Sequence, residues 1–479
     1  MAESLTTKTI RGTLWSSIER FSVQGIQFAV MIIMARILTP ADYGLVGMLA
    51  IFIAISQSLI DSGFSQALIR KQDRSQTDNS TVFFFNIAVG VILYIILFFC
   101  APLIASFYNQ PLLTPLTRAI GIGLIFNSLA VVQRALLTVD LDFKTQAKAS
   151  LIGAIASGAI GIWMAYAGYG VWSIVAQQLC NLALVTIFLW IFSHWKPTWV
   201  YSWKSFSELF GFGSKLMLSG LLDTAYRNIY LIVIGKVYKA SDLGYFTRAQ
   251  QFSDLVSSNV TGILQRVTYP VLCSIQDDND RLKNAYLRIL RITSFLMFPL
   301  LAGLAGVSRP LVITLLTDKW LFAATLLIPL CLTGMWYPVH AINLNLLQVK
   351  GRSDLFLRLE IIKKIVGVII LCATIPLGII TMCWGMLVNS IIALVINTHY
   401  TGKLIGIGFF KQIKDILPSL ILSLTMSAVV YTTMDVLSVS SLVALIIGVA
   451  ESVIIYAGIA KFLHFQEFKE LLALIKRQQ

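Results

Sequence analysis

Apolar runs of about 20 residues follow one another along nearly the whole chain, each closed by a short polar turn, and this alternation predicts helices that cross a membrane. "FAVMIIMARIL", "FFFNIAVGVILYIILFFCAPLIASF" and "LVALIIGVAESVIIYAGIAKFL" are parts of such runs. About 14 spans are expected on length and hydropathy. They cover residues 13–37, 42–69, 80–106, 115–138, 147–168, 171–193 and 211–236. The rest follow at 243–269, 286–307, 323–348, 355–378, 380–401, 412–434 and 439–462. The connectors carry breakers, among them "NQPLLTP", "GYG", "HWKPTW", "SRP" and "PLG". None is long enough for a separate soluble domain. The first residues, "MAESLTTKTIRGTLW", lack a short apolar core with a small-residue cleavage site, so the first span itself is expected to target the chain.

Composition agrees with this pattern. Of 479 residues 57% are hydrophobic and 13% charged, and the mean hydropathy is +0.80, so most of the surface must face lipid. The net charge of +14 invites a nucleic-acid reading, but the basic residues are divided among many short turns rather than gathered on one face. With 14 spans and a cytoplasmic N-terminus, about 25 of the 37 Lys and Arg fall inside and about six outside, a strong positive-inside bias. The expected location is a bacterial cytoplasmic (inner) membrane, crossed many times, with both termini cytoplasmic. Cysteines 100, 180, 273, 331, 372 and 383 form no C-x-x-C pair and read as small packing residues. Histidines 194, 340, 399 and 464 have no metal-ligand spacing, and no cofactor or metal is expected.

A polar phrase occurs twice. "LTPADYG" begins at Leu38 and "YKASDLG" at Tyr238, with Asp42 and Asp242 in register, Gly44 and Gly244 in register, and basic Arg36 and Lys236 just before. The first joins spans 1 and 2 and the second joins spans 7 and 8, so both hairpins enter the membrane in the same direction. That is a parallel repeat. Thr39 or Ser241 is placed to cap the following helix, and the Asp lies against its positive end.

Charges inside spans cost about 2.5–3.5 kcal/mol each on insertion scales, so each calls for a reason. Arg20, Gln24 and Gln27 share one face of span 1, with Glu19 pointing elsewhere. Ser58, Asp61 and Ser65 form a stripe on span 2. Span 7 aligns Ser219, Asp223, Arg227 and Tyr230, with Lys215 one turn below. Span 8 aligns Arg248, Gln251, Asp254 or Leu255, Ser258 and Gln265. Such stripes are what a helix shows when one side faces water. Asp223 and Arg227 are also spaced to neutralise each other, and Lys215, Arg134 and Arg266 to snorkel toward an interface. Glu360 and Glu451 have no partner visible in the sequence. Gln177, Gln178, Asn181, Asn343 and Asn345 are candidates for sugar contacts. The cationic share of the inventory suits an anion, and arginine holds phosphate with paired donors.

"ARILTPADYGLVGMLAIF", "DSGFSQALIRK", "RALLTVDLDFKTQAKASLIG", "GYGVWSIVAQQL" and "YPVLCSIQDDNDRLKNAYLR", in this order, resemble the polysaccharide-repeat-unit (Wzx-type) flippases. These belong to the multidrug/oligosaccharidyl-lipid/polysaccharide exporter superfamily, and the likeness is to the branch with the colanic-acid exporter. The resemblance implies an all-α integral membrane protein with two pseudo-symmetric six-helix lobes in a V-shaped exporter fold, at 1–208 and 209–405. A C-terminal helix pair and cytoplasmic tail fill 406–479. The implied substrate is an oligosaccharide on undecaprenyl diphosphate, moved to the outer leaflet by alternating access coupled to H+ or Na+. Membrane lipid and the polysaccharide polymerase machinery are the implied partners. In the related peptidoglycan-precursor flippase, arginines on helices 1, 2 and 8 line the cavity. Arg20 and Arg248 match two of these, while helix 2 carries Asp61 instead, so Arg227 and Lys215 complete the diphosphate-binding set. Asp61, Asp223 and Asp254 are the ion-coupling candidates, and Gln24, Gln27, Gln251 and Ser258 the cavity polar groups.

Two rivals remain. A drug or organic-cation exporter of the same superfamily would want carboxylates and aromatics to dominate its cavity. A membrane glycosyltransferase or polymerase would use a D-x-D, and "DLD" at Asp140–Asp142 and "DND" at Asp278–Asp280 have that form. Both lie in short turns where helix capping accounts for them, and no enzyme is expected.

Overall fold

The structure, a computed structural model, describes residues 5–61, 63–193 and 195–477. His194 lies outside the described residues. Among the described residues every regular element is helical, and the chain divides into two compact units, Met1–Gly244 and Tyr245–Gln479.

The first unit holds α1 (Leu5–Ile37), α2 (Pro40–Asp61), α3 (Phe64–Arg70), α4 (Gln76–Tyr108), α5 (Leu113–Val139), α6 (Phe143–Tyr166), α7 (Val171–Phe192), α8 (Trp203–Arg227) and α9 (Ile229–Val237). The long α10 (Ala240–Cys273) begins there and runs on into the second unit. Lipid offers no hydrophobic drive for helices to pair, so close approach depends on small residues. A Cβ on Gly158 of α6 would lie 2.5 Å from Val30 of α1, and one on Gly153 would lie 2.5 Å from Val185 of α7.

Eleven described helices are long and apolar enough to cross a membrane. The expected spans 7, 8 and 11 are helical as well, as α8 with α9, as α10, and as α15 (Ser353–Thr374), but are too polar or too charged to count among those eleven. On α8 and α10 the cause is the polar stripes themselves. The expected span 7 starts earlier, at Trp203, and breaks at Asn228, whose side-chain amide donates to the Thr224 carbonyl at 2.8 Å.

The repeated phrase forms two helix starts that meet. At the first, Thr39 caps α2 and Asp42 answers: the Thr39 amide donates to the Asp42 carboxylate at 2.8 Å, and the Asp42 amide to the Thr39 hydroxyl at 3.3 Å. At the second, Ser241 is already inside α10. The Lys239 amide donates to Asp242 at 3.1 Å, so the expected serine cap is replaced by a carboxylate reaching back one turn. The glycines explain the register. A Cβ on Gly44 would lie 1.7 Å from the Ala240 carbonyl oxygen, and one on Gly244 would lie 1.8 Å from the Pro40 oxygen. Each glycine receives the first residue of the other helix.

The connector from α7 to α8 is fastened to the start of α4. There Asp78, Asn79, Ser80 and Thr81 are all buried. The Thr198 amide donates to Ser80 Oγ at 3.0 Å and the Ser202 amide to Thr81 Oγ1 at 3.1 Å. Gln76 donates to the Lys196 carbonyl at 2.7 Å and accepts from the Trp195 indole at 2.6 Å. Lys71 bridges Asp78 at 3.2 Å and Glu208 at 3.1 Å. Burial opposes the Lys71 charge, but these two carboxylates win and hold its pKa above the usual 10.5. Phe64, Phe83, Phe85, Phe206 and Phe210 pack beneath this joint.

The second unit continues with α11 (Asn279–Gly306), α12 (Ser308–Leu316), α13 (Leu321–Gly334), α14 (Tyr337–Val349), α15, α16 (Ile379–Ile405), α17 (Phe409–Val436), α18 (Ser441–Phe462) and α19 (Gln466–Arg477). A buried polar network joins α14, α16 and α17. Asn343 and Gln412 exchange amide hydrogen bonds at 3.0 and 3.1 Å, and Thr401 Oγ1 donates to Asn343 Oδ1 at 2.8 Å. Nearby, His340 Nε2 lies 2.9 Å from Ser390 Oγ, and the Asn397 amide 3.3 Å from His340 Nδ1. Because the Asn397 amide donates to Nδ1, the histidine donates through Nε2. Unpartnered amides would cost about 1–3 kcal/mol each here, so the pairing holds α17 to the bundle. At the end of the chain, Arg288 and Arg291 of α11 pair with Glu470 and Glu467 of α19 at 2.9 and 3.8 Å.

Candidate functional site

In the first unit the in-span charges singled out from the sequence sit on α1, α2, α5 and α8. On α1, Arg20 and Gln27 are exposed and Gln24 is half-buried. Glu19 turns away from them and accepts a hydrogen bond from Ser150 of α6 at 2.8 Å. Asp61 ends α2 and accepts from Ser65 at 2.5 Å. A polar stripe on α8 runs beside α2, where a Cβ on Gly220 would lie 3.5 Å from Ser58 Oγ and the backbones of Gly63 and Gly213 nearly touch. Gly63 takes φ +69°, a conformation that a side chain would strain.

Asp223 and Arg227 form an ion pair, with Arg227 Nε donating to Asp223 at 2.7 Å. The pairing read from their spacing is realised, but it does not hide the guanidinium, which stays 77% exposed. The bond also uses Nε, and among the described residues the two terminal nitrogens make no hydrogen bond. Lys215 lies within α8, and its side chain is outside the described residues.

Arg134 of α5 is exposed, and the charges of Glu19 on α1 and Asp61 on α2 reach it. Sequence spacing could not show this, because the three helices are brought together only by packing.

In the second unit α10 has two unlike faces. Ala249, Phe252, Ser253 and Ser257 are buried, with Ser253 donating to the Leu330 carbonyl at 3.0 Å. Arg248, Gln251 and Asp254 are half-buried and Ser258 exposed on the other side, as the stripe predicts. The Ser258 hydroxyl is spent on its own helix, donating to the Asp254 carbonyl at 2.5 Å.

Some expectations are corrected. Asn343 and Asn345 are 1% and 5% exposed and bonded internally, so neither can meet a sugar. Glu360 has a partner, Lys363, at 2.5 Å, and Glu451 accepts from Thr433 at 2.9 Å. Asp142 of "DLD" caps α6 and Asp278 of "DND" caps α11, each accepting backbone amides. Among the described residues no group of three or more His, Cys, Asp or Glu could hold a metal.

Comparison with known proteins places this arrangement. The chain is 24% identical over 434 residues to the teichuronic acid biosynthesis protein TuaB of Bacillus subtilis (strain 168), covering 89% of each chain. It is 24% identical over 424 residues to the lipopolysaccharide biosynthesis protein WzxC of Escherichia coli (strain K12), covering 87% of this chain and 83% of the other. Among solved structures the lipid II flippase MurJ, in an inward closed conformation, superimposes with a TM-score of 0.75 at 16% identity, covering 94% of this chain and 99% of that one. The two chains thus share a fold. The family described as "Polysaccharide biosynthesis protein" matches residues 33–325, well over half of the sequence. The chain belongs to this family of polysaccharide biosynthesis proteins.

Proposed function

We propose that this protein is a flippase for undecaprenyl-diphosphate-linked oligosaccharide, the repeat unit of an O-antigen, capsule or exopolysaccharide. It moves the head group from the cytoplasmic to the periplasmic leaflet by alternating access. Family membership, the flippase-like fold and one observation support this: charged side chains on α1, α2, α5, α8 and α10 that share water-facing stripes in helices otherwise made for lipid. A diphosphate and several sugars cannot cross hydrocarbon unaided, whereas the prenyl tail need never leave it. Fourteen spans in two six-helix lobes with a terminal pair is the arrangement this reading carries, with both termini cytoplasmic.

Arg20, Arg227 and Arg248 are the diphosphate ligands, with Lys215 beside them. The exposed terminal nitrogens of Arg227 suit a bidentate grip on phosphate oxygens. Asp61, Asp223 and Asp254 are the coupling residues for H+ or Na+, and occupancy of these carboxylates biases the rocking of the lobes. Asp223 bears on both tasks, since a proton or cation on it would loosen Arg227. Gln24, Gln27, Gln251 and Ser258 supply neutral polar contacts. The released head group would pass to the polymerase machinery.

The test is mass spectrometry of lipids from cells with and without the protein. Complete repeat units on undecaprenyl diphosphate should accumulate in its absence, and Arg20→Ala, Arg227→Ala and Arg248→Ala should each restore export poorly. A truncated repeat unit would point to synthesis rather than transport. Unchanged lipid-linked sugars would move drug export to the front.

A further inference from the structure

The connector between α7 and α8 combines two properties that rarely coincide. Its backbone is fixed to the first turns of α4, with the Thr198 and Ser202 amides donating to Ser80 and Thr81 and the Lys196 carbonyl accepting from Gln76. Yet it displays large apolar side chains. Trp199 is 93% exposed, Trp203 71%, Tyr201 49% and Val200 46%. Trp199 stacks on Phe84 of α4 with ring centroids 5.2 Å apart. A loosely held loop would let such side chains collapse onto the protein, but this one is fastened so that they cannot.

Charge and position identify what covers the patch. Lys196 and Lys204 flank it, residues 195–207 contain no acid, and nearby Glu208 is engaged by Lys71. The connector leaves the end of one apolar span, α7, and is fastened to the start of another, α4. Tryptophan and tyrosine at that level, beside lysines, match the boundary between headgroups and acyl chains. A sugar-binding platform would need polar groups next to the rings. Here the neutral groups Thr198, Ser202, Gln76 and the Trp195 indole are already bonded within the protein, which leaves the cations Lys196 and Lys204 and the single Tyr201 hydroxyl beside the rings.

We propose that Trp199, Val200, Tyr201 and Trp203, with Lys196 and Lys204, form an interfacial anchor that sits in the headgroup region and selects anionic phospholipid. On the orientation given under Proposed function this is the cytoplasmic leaflet. The anchor sets the depth of the α4 start and of the α7–α8 joint. Two lysines near an anionic surface correspond to roughly a 30-fold preference over a neutral one.

The experiment uses the full chain with its cysteines replaced and a spin label on Val200→Cys. It is reconstituted in phosphatidylethanolamine vesicles with or without phosphatidylglycerol. With phosphatidylglycerol, the label should be open to oxygen, closed to a polar nickel chelate, and about 5–10 Å below the phosphates. Lys196→Glu with Lys204→Glu should move it toward water. A chelate-accessible label in both lipids overturns the anchor and leaves a soluble partner or the glycan as the occupant. Equal depth in both lipids overturns the anionic preference. Should Val200→Cys fail to fold, quenching of the unmodified chain's 10 tryptophans by headgroup-level doxyl lipid is compared with Trp199→Phe/Trp203→Phe. Undiminished quenching in that variant overturns the anchor. Label depth is read without transport, so its failure is distinct from failure of the flippase reading, and an impermeant thiol reagent on Lys204→Cys reports the leaflet separately.

Discussion

Replacing Gly44 with alanine inserts a methyl group where the Ala240 carbonyl oxygen already stands, at 1.7 Å, while ordinary contact begins at 3.4 Å. The struck atoms are backbone at the first residue of α10, so no side-chain rotation can give way. The helix starts must part by roughly 1.7 Å, and overpacking of this kind costs about 1–3 kcal/mol. At 2 kcal/mol the closed crossing would be populated about 30-fold less relative to a parted one. Gly244→Ala strikes the Pro40 oxygen at 1.8 Å on the same crossing, so one separation relieves both clashes. The two substitutions should therefore be strongly non-additive, the double variant costing little more than either single. The control is Gly262→Ala, also on α10, where nothing lies within 4 Å and alanine should be neutral or gain up to about 1 kcal/mol. The assay is the midpoint of heat-induced loss of the monodisperse detergent-solubilised protein, with export in cells as a second readout. The reasoning fails if Gly44→Ala is as harmless as Gly262→Ala, or if the double variant loses the sum of the two singles.

Other outcomes follow from the same contacts. Lys71→Ala removes a partner from nearly buried Asp78 and should destabilise by about 1–3 kcal/mol, while Glu208→Ala, on the exposed side of the triad, should cost below about 1 kcal/mol, both read as melting midpoints. Because the Lys71 pKa is raised on folding, its charge contributes fully up to pH 10.5 and is lost as pH climbs through the higher folded value, so on the alkaline side Lys71→Ala and wild type should converge only above pH 10.5. Asn343→Leu or Gln412→Leu alone should each cost about 1–3 kcal/mol by orphaning the other amide, and the pair together less than the sum. Arg288→Ala should cost under about 1 kcal/mol, since its bond to Glu470 is largely exposed, and should leave repeat-unit export intact.

Eleven of the expected spans were legible because hydropathy over about 20 residues is a local property. The repeat was legible too, since Asp42 and Asp242 do the same capping work within one turn. Why glycine follows each was not, because the partner of Gly44 lies about 200 residues away. The stripes on α8 and α10 put Asp223 and Arg227 on one face of α8, and Arg248 and Asp254 on the face of α10 opposite its buried serines. Spacing within one helix could not reveal the field of Glu19 and Asp61 at Arg134, nor the bond from Ser150 to Glu19, which join different helices. Asn343 misled for a related reason: a polar residue in a span looks the same in sequence whether it meets a substrate or another amide.

The bond between Asn343 and Gln412 also bears on how the chain is made. Helices enter the membrane in order, so α14 and α16 are in place before Gln412 arrives on α17. Until then Asn343 and Thr401 have no Gln412 with which to complete the network. A nascent chain halted before Phe409 would leave this polar seam between α14 and α16 unfinished, with Asn343 lacking its amide partner. The arrival of α17 completes the seam.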